Sequence, residues 1–370
     1  MNVLVVGNGA REHTLAWKMS QSPKLDNLYV APGNAGTATI ARNLPITSSD
    51  VKGLVRAAKE NSINLVMVGP EAPLTLGLVD ALRDAGVPAF GPQMGAAQIE
   101  GSKVFAKELM FKYGIPCAQS ATFTSFEKAR DYVNKQPLPL VIKADGLAAG
   151  KGVIVAGSHE QAIQALDDIM QQRAFGDAGN RVLVEECLSG REASLLVFTD
   201  GETVAPMVPA CDYKRALDGD RGLNTGGMGS YAPSEFFTAQ LQNTVMKTVM
   251  EPAIEAMARE GHPFKGVLYA GLMITDQGPK VLEFNARFGD PETQVIMPLL
   301  RTDLLEIMQA VIDKRLAETV VEWSSEKCVG VVLASAGYPE NYRKGFPING
   351  LDRGAEDVLI SPAIVGFNNE

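Results

Sequence analysis

A short, fully apolar run opens the chain and leads directly into a glycine turn. Residues 3–6 are valine or leucine, Gly7-Asn8-Gly9 follows them, and apolar residues then recur at helical spacing. A fully apolar run bounded by turn residues is typical of a strand buried on both faces of a parallel sheet. Similar strand signals at 28–30 and 65–68, with a helix signal at 51–60, predict a small doubly wound α/β sheet in this part of the chain.

Beyond this sheet, strands alternate with two glycine-rich segments and several helices. Short apolar runs bounded by glycine or proline predict the strands, and apolar residues three to four positions apart predict the helices. We predict a helix at 103–113, strands at 138–143, 153–155, 182–186 and 193–198, a glycine-rich loop at 223–229, a helix at 236–259, a strand pair at 267–275 and 280–288, a helix at 299–316 and a strand at 328–334.

Composition excludes several classes of protein. The chain has 34 Lys and Arg against 43 Asp and Glu, a formal net charge of −9, which argues against a nucleic-acid-binding protein. No apolar run is long enough to span a bilayer, and the N-terminus lacks the basic region of a signal peptide. Four cysteines without a CxxC pair argue against a disulfide framework or a zinc site. We therefore expect a cytoplasmic protein that binds neither membranes nor nucleic acid.

The turn at residues 7–13, with the sequence GNGAREH, lies between the first strand and the first helix. Backbone N–H groups and the positive end of a helix suit a phosphate at such a turn. The alternative interpretation is a tight connection without a ligand. A dinucleotide-binding fingerprint requires a third glycine where this chain has Glu12, so a nicotinamide cofactor is disfavoured.

The glycine-rich segment at 143–152, with the sequence KADGLAAGKG, lies between two predicted strands. Its glycines would let the backbone approach a polyphosphate, and Lys143 and Lys151 would add positive charge. It differs from a Walker A loop, because Gly152 replaces the Ser or Thr and a strand follows where a helix is required. We expect a flap that folds over a nucleotide, and a flexible hairpin loop is the alternative.

Three polar side chains alternate along a predicted strand near residue 285. The strand period of two places Glu283, Asn285 and Arg287 on one face. A carboxylate, an amide oxygen and a guanidinium in line suit Mg²⁺ together with a phosphate, because Mg²⁺ prefers oxygen ligands and is often shared with substrate phosphates. A half-exposed strand with a Glu–Arg pair explains the pattern equally well.

Four other features carry weaker signals. Residues 184–192 form either a hinge whose backbone meets an adenine edge or a solvated acidic turn. Residues 212–229 mix charges with exposed backbone, which suits either an acidic intermediate or a mobile surface loop. Glu71 follows a predicted strand and could reach a sugar hydroxyl, and Lys103 stands at the start of a helix.

Six segments, in this order, resemble the ATP-grasp family and, more closely, the phosphoribosylamine–glycine ligase (glycinamide ribonucleotide synthetase) family of purine biosynthesis. They are GNGAREH, GPEAPL, KADGLAAGKGV, VEECLSGREAS, DYKRALDGDRGLNTGGMG and EFNARFGDPETQ. Each motif alone is weak, whereas six in one order are specific. The resemblance implies an α/β fold with a doubly wound N-terminal parallel sheet, a central ATP-grasp fold of α+β character and a partial C-terminal domain.

The resemblance also implies the domain organisation. It gives an N-terminal substrate-binding domain at 1–100 and an ATP-grasp domain at 101–300, divided into a lid-like subdomain (117–188) and a larger one (189–300). A C-terminal domain follows at 325–370. Members of the family usually continue several dozen residues further, so we expect this last domain to be incomplete. We expect a monomer.

The reaction implied by the resemblance is the ATP-dependent ligation of glycine to 5-phosphoribosylamine through glycyl phosphate, which gives glycinamide ribonucleotide, ADP and phosphate. The implied cofactors are ATP and Mg²⁺ or Mn²⁺. Because the substrates themselves supply the nucleophiles, the protein has to supply positioning and charge neutralisation.

Family roles carry over to the matching positions of this chain. The implied metal ligands are Glu283 and Asn285, Arg287 would stabilise charge on the transferring phosphoryl group, and Asp212 and Lys214 would act where the substrates meet. The implied ATP contacts are Lys103, Lys143, Gly146, Gly150 and Gly152 at the phosphates, Glu185, Glu186 and Leu188 at the adenine, and Glu192 near the ribose. The implied substrate contacts are Asn8, Gly9, Glu71 and Asp290.

Three other functions are compatible with parts of the sequence. Another ATP-grasp activity, such as a carboxylase or a formate-using transformylase, would keep the nucleotide chemistry and change the acceptor. An ATP-binding protein with impaired or no turnover would fit a shortened C-terminal domain. A dehydrogenase is the poorest match, since Glu12 breaks the dinucleotide fingerprint.

Overall fold

The computed structural model of the chain describes residues 1–147, 152–219, 221–351 and 357–363. Its N-terminal part contains five strands, β1 (Asn2–Gly7), β2 (Asn27–Pro32), β3 (Arg42–Asn43), β4 (Leu65–Val68) and β5 (Ala89–Phe90). They form one parallel sheet in the order β3-β2-β1-β4-β5. The helices of this part are α1 (Ala10–Ser20), α2 (Val51–Glu60), α3 (Glu71–Thr75), α4 (Leu78–Asp84) and α5 (Met94–Gly101).

Helices cover both faces of this sheet because β1 is apolar on both. Val3 and Val5 lie in one hydrophobic cluster with Leu15 of α1. Leu4 lies in another, with Leu54 of α2. The doubly wound sheet predicted from the apolar runs is therefore confirmed.

The next part is a small antiparallel sheet with its own core. It follows α6 (Lys103–Tyr113), which begins at the Ser102 N-cap and ends at Gly114 in the left-handed region, φ 69°. Its elements are β6 (Ser120–Phe123), α7 (Phe126–Val133), β7 (Leu140–Ala144), β8 (Val153–Ala156), α8 (His159–Leu166), a π-turn (Asp167–Gln171), a 3₁₀ turn (Gly176–Asn180) and β9 (Val182–Glu186). The strand order is β6-β9-β7-β8, and α7 and α8 enclose a separate hydrophobic cluster against it.

The last part contains two further antiparallel sheets. Its elements are β10 (Arg191–Thr199), β11 (Val204–Pro206), β12 (Cys211–Leu217), β13 (Arg221–Ala232), α9 (Ala239–Val245), α10 (Glu251–Arg259), β14 (Gly266–Thr275), β15 (Gly278–Asn285), α11 (Thr293–Ile296), α12 (Leu304–Ile312) and β16 (Cys328–Val331). The sheets have the orders β11-β10-β14-β15 and β12-β13-β16. The predicted pair at 267–275 and 280–288 forms the β14–β15 hairpin, but β15 ends at Asn285. The predicted end at 288 is therefore wrong, and Arg287 follows the strand instead of lying on it.

The second glycine-rich segment is not a loop. The predicted loop at 223–229 is wrong, because these residues belong to β13, which pairs with β12 along this stretch and with β16 from Gly229 onward. Gly229 shows why glycine is tolerated in this strand, since a Cβ there would lie 2.7 Å from the carbonyl oxygen of Gly330. Thr225 also donates to the carbonyl of Lys214 at 2.8 Å across the ribbon.

Two predicted helices are shorter or more divided than expected. The predicted helix at 236–259 begins only after the Thr238 N-cap, and a π-turn at Met246–Met250 separates α9 from α10. The predicted helix at 299–316 is wrong at both ends, because Asp303 caps a helix that covers only Leu304–Ile312. In the part of the chain that the structure describes, no helix combines the length and apolarity needed to cross a membrane.

Candidate active site

A cleft of about 270 Å³ opens where α3 and α5 of the N-terminal part, α6, the small sheet, β13 and β15 meet. Half of the predicted site residues line it: Glu71, Lys103, Lys143, Gly146, Gly152, Glu185, Glu283, Asn285 and Arg287. Of the other half, Gly150 lies outside the described residues. The remaining eight lie away from the cleft wall: Asn8, Gly9, Glu186, Leu188, Glu192, Asp212, Lys214 and Asp290.

The Glu283 carboxylate on β15 lies among four positively charged side chains. Burial would raise the pKa of Glu283, but Lys214, Lys143, Lys103 and Arg287 hold it below its usual value. No hydrogen bond to this carboxylate is found among the residues that the structure describes. It is therefore an ionised oxygen donor with free coordination sites.

The Arg287 guanidinium, just beyond β15, is fixed on several sides. Nη2 lies 2.9 Å from Glu100 Oε1 and donates to Asn285 Oδ1 at 3.2 Å, and Nη1 donates to the Phe288 carbonyl at 3.1 Å. Nε lies 3.4 Å from Glu71 Oε2, yet this buried N–H has no hydrogen-bond partner among the described residues. Although burial alone would lower it, the nearby Glu100 and Glu71 raise the pKa of Arg287.

Glu185 on β9 has both carboxylate oxygens in ion pairs. Oε1 lies 3.1 Å from Lys107 Nζ, and Oε2 lies 2.8 Å from Lys143 Nζ. All three side chains are buried, and Lys143 also donates to the Leu282 carbonyl at 3.1 Å. Glu185 thus fixes the ammonium group of Lys143 at the cleft wall. Sequence reasoning missed Lys107, because nothing local connects α6 with β9.

The glycine-rich segment that begins at Lys143 is attached to the start of α6. Lys103 Nζ donates to the Gly146 carbonyl at 2.8 Å. Asp145 Oδ1 accepts hydrogen bonds from the Ser102 hydroxyl at 3.0 Å and from the Val104 amide at 3.1 Å. Burial lowers the pKa of Lys103, against the opposing charge of Glu283. The segment therefore enters the cleft next to two lysine ammonium groups.

The first turn, between β1 and α1, contains a carboxylate of the chain itself. Gly9 N donates to Glu12 Oε2 at 2.7 Å, and Arg11 Nε lies 2.6 Å from Glu12 Oε1. Glu12 is only 2% exposed. One of the N–H groups expected to hold a phosphate is therefore already engaged. A Cβ at Gly9 would lie 3.5 Å from Asp290 Oδ2, so the turn and the residues after β15 are brought together.

Glu186 and Leu188 continue from β9 outside the cleft wall. Glu186 Oε1 accepts a hydrogen bond from the Gln119 amide at 2.9 Å and lies 3.5 Å from Lys280 Nζ. The Leu188 carbonyl lies 3.9 Å from Cys187 Sγ.

A second polar cluster lies beside the cleft, between β10, β12 and β14. Lys214 Nζ lies 3.6 Å from Asp212 Oδ2 and 4.0 Å from Glu192 Oε2. Burial opposes the charge of Lys214, but Tyr269, Asp212 and neighbouring carboxylates raise its pKa well above the usual value. The structure thus brings Asp212, Lys214 and Glu192 together in one cluster.

Glu292 is a buried member of this cluster that sequence reasoning did not assign. Its Oε1 accepts hydrogen bonds from the Ser194 hydroxyl at 3.2 Å and from the Tyr269 hydroxyl at 3.0 Å. Burial and the charge of Asp212 raise the pKa of Glu292 to about 7. Its position two residues after Asp290 was the available signal, but nothing local showed that it is buried.

The raised pKa of Glu292 predicts how stability depends on pH. An unfolded Glu loses its proton near pH 4.3, whereas native Glu292 keeps it to about pH 7. The native state therefore binds the extra proton between these values, and its stability should fall as the pH rises through this window, by at most about 4 kcal/mol. Thermal unfolding measured from pH 4.5 to 7.5 gives the slope of Tm against pH, and Glu292→Gln should remove the part of that slope that Glu292 causes. Exposed Glu322→Gln should keep the slope, and an unchanged slope in Glu292→Gln would contradict the assignment.

Two family models match consecutive parts of the chain. The N domain of phosphoribosylglycinamide synthetase matches residues 1–100, and the ATP-grasp (A) domain of the same enzyme matches residues 101–293. Together the two matches cover well over half of the 370 residues.

Named proteins agree with these matches. The phosphoribosylamine–glycine ligase of Halalkalibacterium halodurans is 52% identical over 361 residues, 97% of this chain and 84% of that protein. The crystal structure of the ligase of Thermotoga maritima is 32% identical with a TM-score of 0.86, covering 100% of this chain and 88% of that one. The biotin carboxylase domain of the Hydrogenobacter thermophilus 2-oxoglutarate carboxylase shares the fold, at 16% identity and a TM-score of 0.67 over 87% of this chain and 71% of that one.

These similarities confirm the fold and the family predicted from the order of the six motifs. Both the N domain and the ATP-grasp domain are represented, and half of the residues are identical to those of a named ligase. The chain belongs to the phosphoribosylamine–glycine ligase family.

Proposed function

We propose that this ATP-dependent ligase joins glycine to 5-phosphoribosylamine through glycyl phosphate, in de novo purine biosynthesis. The observation that carries the proposal is the convergence of Lys103, Lys143, Glu283 and Arg287 on one cleft beside a glycine-rich segment. Such a site offers positive charge and oxygen ligands to a polyphosphate. It needs no nucleophile of its own, since both nucleophiles belong to the substrates.

In the first step, a carboxylate oxygen of glycine attacks the γ-phosphorus of ATP, and the bond to the β-phosphate oxygen breaks to release ADP. Lys103 and Lys143 neutralise phosphate charge, and Gly146 and Gly152 border the phosphates. Arg287 faces the transferring phosphoryl group, whose equatorial oxygens carry the developing charge. Its guanidinium, which Glu100 and Glu71 flank, supplies the positive charge there.

In the second step, the amine nitrogen of phosphoribosylamine attacks the acyl carbon of glycyl phosphate. The bond to the phosphate oxygen breaks, phosphate leaves, and the amine loses one proton as the amide forms. Asp212 and Lys214 lie beside the cleft where the two substrates would meet. On this proposal, Asn8, Gly9, Glu71 and Asp290 hold the phosphoribosylamine at the side of the cleft nearest the first turn.

The donor set fits a magnesium ion shared with ATP. Glu283 gives an ionised carboxylate and Asn285 an amide oxygen on the same strand, and Mg²⁺ is typically held by one or two such groups plus substrate phosphates. The described residues contain no cluster of three or more His, Cys, Asp or Glu that could hold a metal by itself. A bound ion would act as a Lewis acid on the phosphoryl oxygens, and Mn²⁺ is the alternative metal.

The rest of the nucleotide is assigned to the end of β9 and the start of β10. We propose that Glu185, Glu186 and Leu188 surround the adenine and that Glu192 lies near the ribose. Gly150, outside the described residues, belongs to the phosphate-binding segment by its sequence alone. We further propose that the enzyme is monomeric, with domain boundaries at residues 100 and 300 and a lid-like subdomain at 117–188.

The experiment that tests this function is ADP release from ATP–Mg²⁺ with glycine and with phosphoribosylamine generated in the assay. We expect rapid release only when both substrates are present, together with formation of glycinamide ribonucleotide. Matched reactions that omit one substrate, or replace glycine with bicarbonate or formate, test the other ATP-grasp activities. Equilibrium binding of ATP–Mg²⁺ without ADP release in any mixture would instead favour an ATP-binding protein without turnover.

A further inference from the structure

Glu100, at the end of α5, lies on the cleft wall but has no free oxygen to offer a substrate. Its Oε1 lies 2.9 Å from Arg287 Nη2, and its Oε2 accepts a hydrogen bond from the Ala286 amide at 2.7 Å. The residue is 9% exposed. The Glu100 carboxylate therefore contacts both the Ala286 amide, directly after β15, and the guanidinium of the next residue, Arg287.

The two carboxylates on Arg287 differ in what they hold. Glu71 is the more exposed, and its Oε2 forms a longer ion pair with Nε, at 3.4 Å. Glu100 is the more buried, and it holds Nη2 together with the adjacent amide. The hydrogen bond from the Ala286 amide at 2.7 Å and the ion pair with Nη2 at 2.9 Å restrict both the backbone and the rotamer of Arg287. Burial raises the pKa of Glu100, and the charge of Arg287 opposes this rise.

We propose that Glu100 is a positioning residue for Arg287, which it aligns on the transferring phosphoryl group while making no contact with substrate. The inference rests on the function proposed above for Arg287. Glu100 belongs to α5, and Arg287 follows β15. The ion pair therefore connects α5 to the end of β15, and the relative position of these two elements affects where the guanidinium lies.

The first test is Glu100→Gln, which keeps the shape and removes the charge. We expect kcat to fall about 10- to 100-fold, with the KM for ATP changed less than about threefold, because a misplaced arginine acts on the transition state more than on nucleotide binding. Glu100→Asp, which keeps the charge on a shorter side chain, should recover part of kcat. Exposed Glu108→Gln, on the adjacent α6, should remain within about twofold of the parent enzyme.

A double-mutant cycle decides whether Glu100 acts through Arg287. In the Arg287→Lys background, Glu100→Gln should cost less than about threefold in kcat, since the aligned group is already altered. Equal losses in both backgrounds would overturn the proposal, as would a rise in the KM for ATP with unchanged kcat. If Glu100→Gln fails to fold, the same cycle is run with Glu100→Asp.

The cycle also separates this inference from the proposed function. Following ADP formation tests the alignment of Arg287 whichever acceptor the enzyme uses, whereas only product analysis tests for glycinamide ribonucleotide. If the parent enzyme releases no ADP at all, the cycle is measured in thermal unfolding. The double variant should then lose less in Tm than the sum of the single variants, and additive losses would overturn the proposed contact.

Discussion

Replacing Arg287 with lysine should lower ADP release by about 10³-fold while ATP–Mg²⁺ still binds. The loss is expected because charge stabilisation of a transferring phosphoryl group by one arginine is typically worth about 10³-fold or more, and lysine cannot reproduce the planar fork. Glu100, Asn285 and the Phe288 carbonyl hold this fork in one orientation. The measurement is kcat for ADP release beside the equilibrium affinity for ATP–Mg²⁺.

Replacing Arg287 with methionine, which removes the positive charge, should also destabilise the protein. Arg287→Met leaves Glu71 and Glu100 without their shared cation, and removing one partner of a buried ion pair costs about 3–5 kcal/mol. Thermal unfolding of the lysine and methionine variants separates this loss from the loss of rate. Exposed Arg56→Lys is the control. A lysine variant with kcat close to that of the parent enzyme would remove Arg287 from the phosphoryl-transfer step.

Replacing Glu283 with glutamine should abolish the metal dependence of ATP binding. The Glu283 carboxylate interacts with the positive charges of Lys103, Lys143 and Arg287 in the cleft and of Lys214 beside it. Without it, Mg²⁺ loses its ionised ligand on the protein, whereas the four cations still attract the phosphates. We therefore expect metal-free ATP to bind at least as tightly as in the parent enzyme, and added Mg²⁺ to give no gain.

The measurement for Glu283 is ATP affinity across a Mg²⁺ titration, with ADP release in parallel. Asp276→Asn is a matched control, because Asp276 is an exposed acid at the opposite end of the same β14–β15 hairpin. It should keep the full metal dependence and the full rate. A Glu283→Gln variant whose ATP affinity still rises with Mg²⁺ as in the parent enzyme would show that the metal is held elsewhere.

Sequence reasoning found the features of this site that are local in the chain. Glu283 and Asn285 of β15 both line the cleft, and the helix predicted at 103–113 has the bounds of α6. Strand pairing was harder to predict, because glycine is typical both of turns and of strand positions that a neighbouring backbone approaches closely. That is why the sequence predicts a loop at 223–229, although the segment lies within β13 and pairs with β12.

The contacts that orient the charged groups could not be predicted, since they join distant parts of the chain. Glu100 and Ala286 are 186 residues apart, and a single sequence carries no signal that pairs them. The ion pair of Glu185 with Lys107 joins β9 to α6 in the same way. At the first turn, Glu12 was recognised only as a departure from the dinucleotide fingerprint. Its hydrogen bond with Gly9 makes it part of the turn itself.

The ion pairs of Glu185 restrict how this sequence can vary. Two ammonium groups lie within about 3 Å of one buried carboxylate, so the three side chains carry a single excess positive charge. Losing Glu185 alone would leave two cations without a counterion in the protein interior, and losing both lysines would leave a bare carboxylate. Positions 107, 143 and 185 therefore have to be exchanged as a set, and a substitution at one of them is tolerated only when another compensates its charge.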